Sequence, residues 1–276
     1  MTDFLKFLGK PKLRNPAMVV CWDSDAGQLG AKTVAHLKRE LGAEEFCDID
    51  PVEFFPLGGV SIENDVVEFP ESSFYAIPDR DLVIFYSTIP RYEWFKFLNL
   101  IVDVAQEHCR VREMYTIGGM IALGAHTAPR DFWATFSSPQ IKKSLAPYEL
   151  SRELDFETPP GGRPTLNSFL LWTAKQRNLQ GANLWVPVPF YLISADDPRS
   201  QKRVLSFLND RLNLGFNFTR IDAEITRLDE WLANLRREQV EIDRSITKLE
   251  GNQRLSDTEH EKLVKEVEEY LKKQEG

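Results

Sequence analysis

Two stretches hold the residue types that chemistry needs. In "YTIGGMIALGAHTAPR" (115–130) a β-like run reaches Gly118 and Gly119, and His126, Thr127 and Arg130 follow. In "VVCWDSDAGQLG" (19–30) Trp22, Asp23 and Asp25 stand ahead of Gly27 and Gly30. An imidazole titrates near neutrality and suits a general base, given an acid to orient it. Asp23, Asp25 and Glu157 are the acids that the fold would have to bring there. A loop "FETPPGGRP" (156–164) adds Glu157, Gly161 and Arg163, and with Arg130 it could cradle an anion. The chemistry so defined is an enzyme or small-ligand binder. It would take a phosphate- or carboxylate-bearing molecule at loops 23–30, 118–130 and 157–163.

Each feature also has a plainer reading. Gly27 and Gly30 stand three apart, whereas a dinucleotide fingerprint needs three glycines and a phosphate loop ends in G-K-[ST]. Asp23 and Asp25 would repel a phosphate. A tight strand-to-helix turn, capped by Asp23 or Asp25, explains the same residues. A loop histidine satisfied by backbone carbonyls explains His126. The loop at 157–163 reads equally as a rigid connector, with Pro164 opening a helix. No G-x-S-x-G elbow occurs. His36, His108, His126 and His260 are scattered, and Cys21, Cys47 and Cys109 stand singly, so no metal site, cofactor or catalytic set is assigned.

The elements that must position these loops follow from hydrophobic patterning. "AMVVCW" (17–22), "DLVIFYS" (81–87) and "REMYTIGG" (112–119) read as buried strands, and "NLWVPVPFYLI" (183–193) as a strand that its prolines push to an edge. "SIENDVVEF" (61–69) reads as a hairpin. Helices are expected after the first strand, from Pro90 and Pro164, and from Pro198 with Asp197 as cap. Strands alternating with helices predict an α/β sheet with helices on both faces over residues 1–215, with ligand loops beyond the strands' carboxyl ends.

Residues 216–276 differ in kind. Ile221, Ile225, Leu228, Leu232, Leu235, Ile242, Ile246 and Leu249 keep a 4-3-4-3 spacing, interrupted only by Gln239 in the seam. That spacing predicts one long helix with a narrow apolar seam. Ser256 and Glu259 form a capping box for a second helix, giving a helical hairpin. The seam can pack within the chain or zip to another copy; its length favours some contact with another surface.

Composition bounds the partners. The chain has 276 residues, 42% hydrophobic and 28% charged, with a net charge of −8. That charge disfavours nucleic acid. No apolar run approaches the ~20 residues of a membrane span, and a reducing, cytoplasmic setting is expected.

Taken together, "LRNPAMVVCWDSDAGQLG", "DLVIFYSTIPRYEWFKF", "YTIGGMIALGAHTAPR", "FETPPG" and "NLWVPVPFYL" resemble the proteasome assembly chaperone 2 family, motif by motif and in the family's order, over roughly residues 13–215. Cys21 stands where the family has glycine before its tryptophan. Ala125 and Ala128 interrupt the pattern around His126–Thr127, and Phe156 and Thr158 replace a tyrosine and a glycine beside Glu157. The resemblance implies an α/β fold similar to the phosphorylase- and hydrolase-like folds without their catalytic constellation. It also implies a non-enzymatic, homo-oligomeric, assembly-chaperone-like scaffold with a protein client. The family's terminal hydrophobic–Tyr–any tripeptide is absent, since Tyr270 is followed by "LKKQEG".

Overall fold

The computed structural model describes residues 4–56, 60–63, 65–148, 150 and 165–275. Along the chain run β1 (Leu5–Phe7), β2 (Ala17–Trp22), α1 (Leu29–Leu41), β3 (Glu44–Ile49), β4 (Ser61–Glu63), β5 (Val66–Glu68), β6 (Ser72–Ile77) and β7 (Leu82–Ser87). Then come α2 (Trp94–Asp103), β8 (Glu113–Ala122), β9 (Trp133–Phe136), α3 (Pro139–Ser144), α4 (Leu166–Gln176), β10 (Gln180–Pro189) and α5 (Pro198–Leu212). The C-terminal part holds α6 (Thr219–Glu238), α7 (Val240–Glu250) and α8 (Asp257–Glu275).

Eight strands form one mixed sheet in the order β1-β3-β6-β7-β2-β8-β10-β9. Strands β7, β2, β8 and β10 are mutually parallel, and the antiparallel strands flank them. Because side chains alternate across a strand, a fully apolar strand must be covered twice. Strand β2 shows this directly. Ala17, Val19 and Cys21 enter a core built with α1, α3 and α5, while Met18, Val20 and Trp22 enter the one built with α2 and α4. The β4–β5 hairpin pairs Ile62 with Val67 in a separate two-stranded sheet, as its alternation predicts.

Several boundaries differ from the sequence reading. Helix α2 starts at Trp94 rather than near Pro90, with Glu93 in the left-handed region at its entrance. Gly118 and Gly119 do not end β8; they lie inside it, opposite Trp185 and Val186. Strand β10 is not at an edge but between β8 and β9. Its prolines are tolerated because β9 pairs only as far as Trp185, leaving Pro187 and Pro189 beyond it.

The expected single long helix is broken at Gln239, whose backbone is extended (φ −128°, ψ 100°). Its amide Nε2 donates to Glu266 on α8 at 2.9 Å. The break folds α7 back, so the C-terminal part holds three helices rather than a hairpin. Leu228, Leu232, Leu235, Ile242, Ile246 and Leu249 are buried together with Leu263, Val267 and Leu271 of α8 and with Val188, Phe190 and Leu192. Ile221 joins the α5 side of the main core, and Ile225 is half-buried. Of the two packings open to the seam, within the chain or against another copy, its buried residues take the first.

Candidate functional site

The turn after β2 is built around one carboxylate. Asp25 Oδ2 accepts the Gly119 N–H at 2.7 Å and the Gly30 N–H at 3.1 Å, tying the start of α1 to strand β8. This contact needs glycine at 119, since a Cβ there would lie 2.1 Å from the Ala26 carbonyl oxygen. At Gly30 a Cβ would meet the Trp22 carbonyl at 2.6 Å. Gly27 sits in the left-handed region against Val188. Burial pushes the Asp25 carboxyl up to about 6, against the opposing pull of the Gly119 and Gly30 amides. Asp23 stays at the rim, accepting from the Ser24 hydroxyl. Trp22 is core: its ring packs on Phe85 and Phe97, and its Nε1 donates to Asn167 at 2.5 Å.

The loop after β8 is held from three sides. The hydroxyl of Tyr191 accepts the His126 backbone N–H at 2.6 Å and lies 2.8 Å from His126 Nδ1. The hydroxyl and Nδ1 share one hydrogen bond, whose donor is set by the imidazole tautomer. Burial pushes the His126 imidazole down to about 4. Each of the three Arg130 nitrogens has an acceptor. Its Nε donates to Asp197 at 2.9 Å and to Ser200 Oγ at 3.1 Å. Its remaining nitrogens donate to the carbonyls of Ala128 at 2.6 Å and His126 at 3.1 Å. Asp197 in turn caps α5 through the amides of Arg199 and Ser200. Thr127 reaches the C-terminal helices, its hydroxyl 3.4 Å from Glu250 on α7. Ala125 is buried in the cluster that those helices form.

The structure thus separates what the sequence set side by side. Asp25 meets strand β8 at Gly119, whereas His126 and Arg130 meet Tyr191, Asp197 and the seat of α6 and α7. Glu157 and Gly161, with Arg163, lie outside the described residues. No group of three or more potential metal ligands occurs among the described residues, and no described helix is long and apolar enough to cross a membrane. Tyr191 and Asp197 are the partners that sequence reasoning did not tie to this loop. Asp197 carried the signal of a cap before Pro198, but nothing in its spacing announced Arg130.

Fold and loops define a class: a mixed α/β sheet whose carboxyl-end loops are tied down by buried polar contacts and seat a C-terminal helical group. The model of the PAC2 family matches residues 24–236, and the chain belongs to that family. Among solved structures, a Corynebacterium glutamicum protein of unknown function is 18% identical with a TM-score of 0.77, covering 90% of this chain and 96% of its own. A Mycobacterium tuberculosis proteasome-assembly chaperone homologue is 18% identical with a TM-score of 0.66, covering 79% and 94%. An archaeal proteasome activator from Pyrococcus furiosus is 21% identical with a TM-score of 0.65, covering 84% and 98%. These likenesses concern the fold. No curated protein sequence matches significantly.

Proposed function

We propose that this protein is a non-enzymatic, homo-oligomeric interaction scaffold of assembly-chaperone character, whose client is another protein. Membership of the PAC2 family supports the chaperone-like character. The observation that carries the non-enzymatic part is the engagement of Arg130. A guanidinium meant for a substrate anion must present free donors, yet Arg130 is paired with Asp197 and both side chains are at most 5% exposed. His126, its imidazole kept neutral by burial and hydrogen-bonded to Tyr191, is likewise committed to its own loop.

Two measurements test the reading. A thermal-shift panel of nucleotides, nucleosides and phosphosugars is expected to leave the melting temperature unchanged, because only a ligand that binds the native state raises it. A shift that disappears in the His126→Ala protein would favour the ligand-binding alternative at loops 23–30 and 118–130. Light scattering at micromolar concentration is expected to give a multiple of the chain mass; a strict monomer would contradict the oligomeric part.

A further inference from the structure

The sheet ends on β9, a four-residue strand paired only with β10 among the described residues. Its hydrogen-bonding direction can be read from one contact. The Ser137 N–H donates to the Gly181 carbonyl at 2.9 Å, and the register then pairs Thr135 with Asn183 and Trp133 with Trp185. In an antiparallel ladder, bonded and non-bonded pairs alternate. The backbone N–H and C=O groups of Ala134 and Phe136 therefore point away from β10, along the open edge. A trough of about 490 Å³ runs along this edge, floored by Ala134–Pro139 and flanked by Lys142 of α3 and Lys175 of α4.

The charge of this trough is unusual for the chain. The protein carries a net −8, yet among the described residues the lining includes two lysines and no carboxylate. Neither lysine has an ion-pair partner among the described residues. The buried hydroxyl of Thr135 has no hydrogen-bond partner among the described residues. Trp133, at the far end of the strand, keeps 41% of its surface exposed.

From this we infer that the β9 edge is a docking site for an extended, acidic polypeptide segment, which adds as a strand beside β9. Main-chain groups of Ala134 and Phe136 supply the pairing, and carboxylates on successive residues of the incoming strand, one toward each face of the sheet, meet Lys142 of α3 and Lys175 of α4. A second copy's β9 edge is the wrong occupant. Pairing two such edges would bring four lysines together with no carboxylate among the described lining residues, and like charges across strands are destabilising. The inference deepens the scaffold reading and rests on it only in taking the partner to be a polypeptide. The ligand panel and the mass measurement test that reading separately.

The test uses the full-length protein and two fluorescein-labelled octapeptides, one repeating Val-Val-Glu-Glu and one repeating Val-Val-Lys-Lys, so that each presents charge to both faces of the sheet. Fluorescence anisotropy should show the glutamate peptide binding about tenfold more tightly than the lysine peptide, the equivalent of roughly 1.4 kcal/mol. The surface double variant K142E/K175E should reverse that preference. Amide hydrogen exchange should show the Ala134 and Phe136 amides gaining protection only with the glutamate peptide. Equal binding of the two peptides, binding of neither up to millimolar concentration, an unchanged preference in K142E/K175E, or no protection at Ala134 and Phe136 would each overturn the inference.

Discussion

Arg130 and Asp197 form a buried ion pair, Nε to Oδ2 at 2.9 Å, that joins the loop after β8 to the cap of α5. One element supplies an arginine that looks like an anion receptor, and the other supplies the carboxylate that occupies it. The pair anchors the loop against the body, and through His126 and Thr127 the same loop faces Tyr191 and α7. The residues that look in sequence like catalytic equipment also seat the C-terminal helices.

Removing one half of that pair should be costly, because the other half is left as a buried charge. Arg130→Ala is expected to destabilise by about 3–5 kcal/mol, and Arg130→Lys should restore only part, since lysine lacks the guanidinium fork. Urea denaturation measures both. A loss below about 1 kcal/mol for Arg130→Ala would mean that Asp197 is not held by this arginine.

His126 should make stability depend on pH in a defined direction. Its folded value is pushed down to about 4 from 6.5 by burial. The unfolded chain therefore binds more protons between pH 6.5 and 4, so the contribution is fully present above pH 6.5 and is lost as pH falls towards 4. At 1.36 kcal/mol per unit this is about 3 kcal/mol. Asp25 slopes the other way: its folded value of about 6 lies above the ordinary 3.8, so it adds stability as pH falls through the same window. The two oppose each other in the wild type. Denaturation of His126→Gln from pH 7 to pH 4 isolates the histidine, and its stability relative to wild type should rise by about 3 kcal/mol over that range.

Gly119 tests the turn. An added methyl would sit 2.1 Å from the Ala26 carbonyl oxygen, a backbone atom that cannot swing aside. Gly119→Ala should cost about 3 kcal/mol, with the Ala26–Gln28 turn displaced from β8. Calorimetry gives the loss, and a melting temperature equal to wild type would show that the turn does not pack as described.

Leu235 separates packing within the chain from packing between chains. It is fully buried in the C-terminal cluster. Leu235→Ala should lower stability by ~2–5 kcal/mol through the cavity it leaves, while the mass in solution stays that of the wild type. Loss of assembly without loss of stability would return the seam to a role between subunits.

Much of the fold was legible because its signals are local. β2 and β7 announce themselves by continuous apolar runs, the β4–β5 hairpin by alternation, and α8 by its capping box, in which the Ser256 N–H donates to Glu259 and the Glu259 N–H to Ser256. What escaped was set by distant partners. β3 and β6 carry charged or small polar residues among their apolar ones and are defined by pairing with each other. Gly118 and Gly119 look like a turn because nothing in their own stretch shows that Trp185 and Ala26 press against them. The break at Gln239 was visible only as one polar residue in an apolar seam, and its contact with Glu266 lies on another helix. At the site, residue types were legible and their partners were not, because Tyr191 and Asp197 come from beyond the next strand.

The central claim, that the His126 loop is a structural seat for α6–α8, is tested most directly by amide hydrogen exchange on Tyr191→Phe. Loss of the hydroxyl leaves the His126 N–H and Nδ1 without their partner, at a cost of roughly 1–3 kcal/mol. The account predicts that α6, α7 and α8 then exchange about tenfold faster or more, while β2 and β7 keep wild-type protection. Unchanged exchange in the three helices would contradict it.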